Sequence, residues 1–315
     1  MARRTRSAYG TGLLLACTAY LMWGLFPIYF YLLKPAQALE VLGHRMTWTL
    51  LFLLLVVSLR HLWKSLRAYI RQPRVLGLLA LAAIAISLNW GLYIWAVDEG
   101  QVVEASLGYF INPLVAVLIG VGLLGERLRR LQWTAVALGG LSVAVLTVAY
   151  GRPPWIALGL AISFATYGYL KKLANVGAVE SLTIETTYLF PFALLYLIIL
   201  ESSGNAAFGH VSAGNTALLA LAGIVTALPL LAYGGAVIRA PLSTIGLLQY
   251  ITPVMQFILG LTFFHEAMTT GRWIGFAIVW GAVVLLSIDA IRTARDPNWT
   301  GGIRHGNPAA AAAAD

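Results

Sequence analysis

Ten long apolar runs, each about as long as a bilayer core is thick, constrain this chain more than any other feature of its sequence. A helix needs about 20 mostly apolar residues to cross a bilayer. Only 10% of the residues are charged, too few to cover a soluble fold of this size. The runs are continuous and rich in Leu and Ala, which favours helices over the alternating strands of a barrel. We therefore predict an all-α membrane protein with ten transmembrane helices, at 11–33, 38–59, 74–97, 104–125, 131–150, 154–173, 179–200, 215–239, 241–264 and 269–291.

The loops between these helices divide the positive charge unevenly. If the N-terminus lies inside, 17 of the 21 Lys and Arg residues fall on the inner side, and Arg45 lies within a helix. Cytoplasmic loops collect Lys and Arg, so this bias places both termini in the cytoplasm. It also accounts for the net charge of +9, so we expect the lipid bilayer as a partner and no nucleic acid. The outer side holds Lys34, Arg152 and Arg272.

An internal repeat relates the two halves of the chain at an offset of 140 residues, which pairs Pro113 with Pro253. It also pairs Glu126 with Glu266, each of which is predicted to cap the helix that follows it. Each half has five helices, an odd number, so the second half enters the membrane in the opposite sense, as in many transporters. We predict a cytoplasmic segment at 1–10, a first five-helix repeat at 11–150, an inverted second repeat at 151–291 and a disordered cytoplasmic tail at 292–315.

Polar side chains follow one face of the ninth predicted helix, and a similar face recurs on the fourth. Lipid would leave their amides without partners, so both faces must meet protein or water. Each face also contains a proline, Pro113 or Pro253, which breaks the helix and frees a backbone carbonyl one turn earlier. Broken helices at matching places in two halves are typical of a binding site, whereas the alternative is that the polar groups patch the breaks and join helices. We predict a substrate cavity lined by Tyr109, Asn112, Gln249, Thr252 and Gln256.

The third and eighth helices add aromatic and amide side chains to the predicted cavity. Asn89 and Tyr93 share a helix face one turn apart, and Tyr233 stands at the repeat position of Tyr93. The alternative is a core aromatic whose hydroxyl is satisfied by a neighbour, and for Trp90 taken alone this packing role is favoured. We include Asn89, Trp90, Tyr93 and Tyr233 in the predicted cavity.

Ionisable residues inside the predicted helices are few, and they indicate gating or coupling. Arg45 lies about 10 Å from the outer end of the second helix, with His44 beside it. Glu185 lies a similar distance from the inner end of the seventh helix, with Tyr188 one turn away as a candidate hydrogen-bond partner. Because the halves are inverted, these groups approach opposite mouths, and Glu185 is the candidate proton carrier. The alternative is that both are helix-end charges paired locally.

The sequence contains none of the motifs that an intramembrane enzyme would need. It has no His-Glu-x-x-His pattern, no Gly-x-Ser-x-Gly elbow and no phosphate loop. We therefore expect a carrier that moves a small metabolite or drug-like solute by alternating access, with proton-coupled efflux as one form and no catalytic residue, metal or cofactor. An intramembrane enzyme and a passive channel are the alternatives. Small residues spaced four apart, such as Ala135 with Gly139, serve packing within the chain or in a homodimer.

Four stretches of the sequence resemble the RarD-type branch of the EamA family, within the drug/metabolite transporter superfamily. They are SLNWGLYIWAV at 87–97, EASLGYFINP at 104–113, GERLRRLQW at 125–133 and PLSTIGLLQYITP at 241–253. The pairs His44-Arg45 and Glu185-Thr186 also stand where that branch has such pairs. The resemblance extends from the first helix to the tenth and implies ten transmembrane helices, a bacterial plasma-membrane location and a permease role. His265 departs from the family, in which Gly is common at this position.

Overall fold

The regular structure is α-helical in every part of the chain that the computed structural model describes, namely residues 2–124, 128–237, 239 and 248–294. Continuous apolar sequence in lipid leaves the backbone no partner but itself, which favours helices. The predicted tail at 292–315 lies almost wholly outside these ranges. The helices are α1 (Ala2–Gly24), α2 (Phe26–Leu32), α3 (Ala38–Leu59), α4 (Trp63–Ile70), α5 (Pro73–Asp98), α6 (Val102–Leu124), α7 (Arg130–Tyr150), α8 (Trp155–Ala174), α9 (Ala178–Ser202), α10 (Ala213–Val237), α11 (Ile251–Thr262) and α12 (Thr270–Ala294).

Seven of these helices are long and apolar enough to cross a membrane: α3, α5, α6, α7, α9, α10 and α12. Helices α1 and α2 together form an eighth such segment, bent by 41° between Gly24 and Phe26. Helix α11 is apolar but shorter, and the run predicted around it, 241–264, is described only from residue 248 onwards. The chain is therefore a multi-pass membrane protein, while the count of ten crossings stays a prediction.

A short amphipathic helix, α4, connects α3 to α5 and was not predicted. Leu66 is buried against the core, whereas Trp63, Lys64 and Arg67 on the other faces are exposed. Aromatic and basic side chains around a short apolar stripe are typical of a helix that lies along a membrane surface. Its eight residues are too few and too polar for a search based on spanning length to find.

The close approach of α3 and α10 depends on a glycine. A Cβ atom at Gly223 would lie 2.2 Å from the carbonyl carbon of Trp48 and 2.5 Å from the amide nitrogen of Thr49. Both are backbone atoms, which cannot turn aside as the end of a flexible side chain would. The contact brings Thr226, one turn further along α10, against the interior face of α3.

Carboxylates tie helices together at the end of the bundle where α5 terminates, here called the Asp98 end. Both oxygens of Glu266 lie 3.1 Å from the amide nitrogen of Val103 in the first turn of α6. Glu104 accepts in the same way from the amide of Ile156 in α8, at 3.2 Å. Unpaired amides at a helix start carry partial positive charge, which attracts a carboxylate.

The prediction that Glu266 caps the helix following it was wrong. Its side chain turns to the start of α6, and the hydroxyl of Thr269 accepts the amide hydrogen of Arg272 in α12 instead, at 3.4 Å. Sequence spacing could not show that a distant helix start lies closer to Glu266 than the next one along the chain. Glu126, its repeat partner, lies outside the described residues.

Small residues on α7 and α12 serve packing within the chain on one face. Ala135 is fully buried, and a Cβ atom at Gly139 would lie 2.5 Å from Leu114. Gly140 and Gly281 point elsewhere, with no atom within 4 Å of a Cβ built on either. A homodimer through these open faces stays a prediction.

We expect Gly223→Ala to lower the melting temperature of the purified protein by several degrees, because overpacking a tight contact costs about 1–3 kcal/mol. The matched control is Gly140→Ala, which adds the same methyl group in open space and gains helix propensity. Thermal unfolding of both variants in one detergent makes the comparison. Equal melting temperatures would show that α3 and α10 can separate slightly at no cost.

A second prediction concerns the pH dependence of stability. Burial raises the pKa of Glu266 from its ordinary value of 4.5 to about 7, and the hydrogen bond from Val103 offsets only part of that rise. An acid with a raised folded-state pKa stabilises the fold fully below the unfolded pKa, and that contribution is lost as pH rises through the folded pKa. The melting temperature should therefore fall between about pH 4.5 and 7 by more in the parent than in Glu266→Gln. Glu99→Gln, which removes an exposed acid at the same end, should follow the parent.

Candidate functional site

A charged side chain, Arg45 of α3, lies in the interior of the helix bundle. It is only 3% exposed. Its Nε donates a hydrogen bond to Oγ1 of Thr226 in α10 at 2.8 Å, which holds the plane of the guanidinium in place. The tight helix contact at Gly223 makes this bond possible. Arg45 thus joins parts of the chain that are 181 residues apart.

Aromatic rings surround the Arg45 guanidinium. Its central carbon lies 4.0 Å from the ring centroid of Trp90 in α5. It lies 5.4 Å from the ring of Phe26 and 5.6 Å from that of Phe30, both in α2. The electron-rich face of a ring attracts a cation, so these rings replace part of the hydration that Arg45 loses.

Two tyrosines extend this group of rings. Tyr93 lies 6.0 Å from Phe30 and 5.6 Å from Tyr109, measured between ring centroids. Both tyrosines are close enough to interact electrostatically with Arg45. The hydroxyl of Tyr93 is buried and has no hydrogen-bond partner within the described ranges. The name Arg45 cluster is used below for Arg45, Phe26, Phe30, Trp90, Tyr93 and Tyr109.

The structure therefore brings together residues to which the sequence analysis gave separate roles. Trp90, Tyr93 and Tyr109 were predicted to line the cavity, and Arg45 was predicted to gate one mouth. The sequence analysis missed three residues that contact Arg45, namely Phe26, Phe30 and Thr226. They were missed because the sequence does not show which face of an apolar helix an aromatic or Thr side chain occupies.

The polar stripe on α11 faces α1. Oγ1 of Thr252 donates to the carbonyl of Tyr20 at 2.9 Å, and Nε2 of Gln256 donates to the carbonyl of Trp23 at 3.1 Å. The second bond has a clear cause, since Pro27 has no amide hydrogen to give to the Trp23 carbonyl four residues earlier. Both side chains thus join helices, as the alternative reading of the stripe proposed.

The remaining amides are placed differently. Nδ2 of Asn89 donates to the carbonyl of Leu160 and to Oγ of Ser163, both at 3.0 Å, and so ties α5 to α8. Asn112 lies in α6, where its Oδ1 is buried without a partner in the described structure. Gln249 lies in the turn before α11 and is half-buried. Their role as a cavity lining stays a prediction.

The two repeat prolines lie in different surroundings. Helix α6 continues through Pro113, whereas Pro253 is the third residue of α11 and follows a turn at Gln249 and Tyr250 that separates α11 from Leu248. The chain is therefore interrupted one turn before Pro253. A sharp bend also lies just before Pro27, between α1 and α2. Near this bend Tyr233 packs against α1, with its ring 6.0 Å from that of Trp23.

An ion pair with a buried carboxylate lies at the opposite end of the bundle, here called the Lys171 end. Glu185 is fully buried, and its carboxylate lies 2.7 Å from Nζ of Lys171 in α8. The Tyr167 hydroxyl donates to the same carboxylate at 3.0 Å, and Ser181 accepts a hydrogen bond from Lys171. Tyr188, the predicted partner of Glu185, is 37% exposed and takes no part in these contacts. The sequence analysis missed Lys171 as the partner of Glu185, because Lys171 lies at a helix end and was counted as a loop charge.

A line of aromatic rings connects the two charged sites. The ring of Tyr109 in the Arg45 cluster lies 6.2 Å from that of Phe164 in α8. The Phe164 ring in turn lies 6.1 Å from that of Tyr167, which bonds to Glu185.

His44 faces away from Arg45, toward α9. Its ring stacks on Phe208 at 4.5 Å between centroids, and its Nε2 lies 4.0 Å from Glu40. It lines a pocket of about 740 Å³ between α3 and α9, and no other residue of the predicted site does so among those described. Within the described residues, no three His, Cys, Asp or Glu side chains are grouped so as to hold a metal ion.

Comparison with known proteins places the chain among transporters. Residues 10–148 match the model of the EamA-like transporter family. The chain is 56% identical to Protein RarD of Streptomyces exfoliatus, over 90% of each chain. It is 42% identical to Protein RarD of Escherichia coli (strain K12), over 93% of this chain and 98% of that relative. It is also 42% identical to an uncharacterized transporter of Vibrio cholerae, over 89% of this chain and 93% of that relative.

A solved crystal structure shares the fold, with a TM-score of 0.59, although only 19% of the aligned residues are identical. The match covers 90% of this chain and 99% of that one. The resemblance noted in the sequence is confirmed, since relatives this similar align over nearly their whole length. The chain belongs to the EamA-like transporter family, in the branch of the RarD proteins.

Proposed function

We propose that this chain is a permease that moves a small metabolite or drug-like solute across the bacterial plasma membrane by alternating access. Membership of the family makes it a membrane transporter, and the finer statement is supported by the Arg45 cluster. A charge inside a spanning bundle is costly, and such charges usually serve a solute or an ion. Arg45 comes from α3 and its anchor Thr226 from α10, so the cluster lies where the two sequence halves meet.

The packing of the helices supports two inverted five-helix repeats, at 11–150 and 151–291, flanked by a cytoplasmic segment at 1–10 and a tail at 292–315. Helix α5 packs against α8, and its repeat equivalent α10 packs against α1. In the same way α6 packs against α8, and α11 packs against α1. The equivalent helices α3 and α9, α6 and α11, and α7 and α12 also lie in contact. When each helix is replaced by its equivalent in the other half, this set of contacts is reproduced, as inverted repeats require.

Glu185 is the proposed coupling residue, with Lys171 as its counter-ion. Helix α8 packs against α5 and α6, and α9 packs against α3 and α5, so this ion pair ties α8 to α9 at the Lys171 end. Protonating Glu185 removes its charge and weakens the bond between these two helices. A carrier needs a contact of this kind, which opens once in each cycle. His44 and Tyr188 are proposed to shape the gates on either side.

Solute exchange tests the permease. In reconstituted vesicles, solute trapped inside should accelerate the uptake of labelled solute, because a carrier returns faster when loaded. We expect Glu185→Gln to keep this exchange and to lose accumulation driven by a pH gradient. For one proton per solute, the parent should accumulate about tenfold for each pH unit imposed.

The matched control is Glu201→Gln, which makes the same change at an exposed position of the same helix and should leave accumulation intact. Accumulation by Glu185→Gln equal to that of the parent would rule out coupling through this carboxylate. Uptake that internal solute never accelerates, for any compound in a broad panel, would indicate a channel and not a carrier.

The charge bias supports a topology in which both termini are cytoplasmic and Asp98 is outside. A reporter that is active only in the cytoplasm should therefore be active when fused after Ile291 and inactive when inserted beside Asp98. Seventeen of 21 basic residues support this orientation, and the bias acts mainly through short loops. The reverse pattern of activity would show that the chain inserts the other way round.

A further inference from the structure

Most of the hydrogen-bond donors of the Arg45 guanidinium have no partner among the described residues. Its Nε is used by Thr226, but neither Nη atom makes a hydrogen bond or an ion pair in the part of the chain that the structure describes. A guanidinium offers five N–H donors and stays charged at any physiological pH. Within the described residues, this side chain is 3% exposed, and four of its five N–H donors have no partner in the protein.

Among the residues that the structure describes, no carboxylate forms an ion pair with Arg45. Buried acids of the bundle have partners of their own: Glu40 accepts hydrogen bonds from the amides of Ala207 and Phe208, and Glu185 is paired with Lys171. Glu104 is paired with Arg152 at 2.9 Å. The aromatic rings lower the free-energy cost of burying Arg45. A cation–π contact nevertheless stabilises a charge much less than an ion pair does in a dry interior.

We infer that Arg45 binds the carboxylate of the transported solute, and that this solute is a monoanion with a flat apolar body. The inference rests on the proposed function and names its substrate class. The two free Nη groups form the fork that holds a carboxylate through two parallel bonds. Thr226 already fixes the plane of that fork, so little freedom is lost on binding.

The charge and shape of the Arg45 cluster select the rest of the solute. Arg45 is the only cation in the cluster, and Lys171 is neutralised by Glu185, so a second negative charge would find no partner among these residues. Trp90 and Tyr93 present ring surfaces beside the guanidinium, and these suit a planar apolar group. The unpaired hydroxyl of Tyr93 can donate one further hydrogen bond to the carboxylate of the solute.

Thermal unfolding in phosphatidylcholine nanodiscs tests this inference with defined probes. The panel consists of acetate, benzoate, 3-phenylpropanoate and indole-3-acetate, each compared with its primary amide, which keeps the shape and removes the charge. A ligand that binds the folded state raises the melting temperature with its concentration. We expect the aromatic acids to do so, acetate to do so weakly, and the amides to have no effect.

Variants locate the site. Arg45→Gln should weaken binding of the aromatic acids by at least about 30-fold, because it removes the charge that the carboxylate pairs with. Arg45→Lys keeps the charge without the fork and should fall between the parent and Arg45→Gln. Arg74→Gln is the matched control, because it removes an exposed arginine and should bind as the parent does. If Arg45→Gln does not fold, the comparison of acids with amides in the parent still decides the question.

Equal effects of every acid and its amide would overturn the inference, and so would acid binding that Arg45→Gln leaves unchanged. Adding phosphatidylglycerol to the nanodiscs separates a lipid headgroup from a solute. If only this lipid, and no acid, stabilises the parent over Arg45→Gln, the guanidinium holds lipid and the inference is wrong. If the protein exchanges neutral solutes with no preference for acids, the inference about the carboxylate is wrong and the permease proposal stands. If it binds acids but exchanges none of them, the permease proposal is wrong and acid binding at Arg45 stands.

Discussion

Hydrogen bonds from side chains to the backbone carbonyls of neighbouring helices organise this bundle. In hydrocarbon, a polar group without a partner costs several kcal/mol, so a hydrogen bond within the protein is strongly favoured. Asn89 donates a hydrogen bond to the carbonyl of Leu160, and Gln256 donates one to that of Trp23. Ser142 donates to the carbonyl of Gly275 at 2.7 Å. Such bonds define which helix faces meet, because apolar packing alone discriminates poorly between faces when lipid is as apolar as the core.

Buried charged side chains need partners for the same reason, and they occur at only a few places in the described part of the bundle. At the Asp98 end the acids lie against helix starts, where backbone amides supply the compensating charge. At the Lys171 end a lysine does so. Arg45 departs from this pattern, since its contacts among the described residues are with aromatic rings and the hydroxyl of Thr226. The proposed carboxylate site rests on this difference between Arg45 and the paired acids.

The apolar runs predicted the helices well, because hydropathy over about 20 residues depends little on tertiary contacts. Arg45 and Glu185 lie within long helices, as their position in the apolar runs predicted, and both are buried. Their neighbours could not be predicted in the same way. Thr226 is 181 residues from Arg45, and Lys171, although only 14 residues from Glu185, lies at the end of another helix and was counted as a loop charge. The stripe on α11 was correctly assigned to a face that meets protein or water, yet spacing alone could not choose between them. It meets α1, through Thr252 and Gln256.

The bend between α1 and α2 has a mechanical consequence. A helix resists bending mainly through its ladder of hydrogen bonds, and Pro27 has removed a rung at this point. The released carbonyl of Trp23 rests on the amide of Gln256, which can follow it through a change of angle. Turning α2 about this pivot must also break the hydrogen bond from Tyr29 to the carbonyl of Leu218 and unpack Phe26 and Phe30 from the core. Because these two rings cover Arg45, a turn of α2 would uncover its charge.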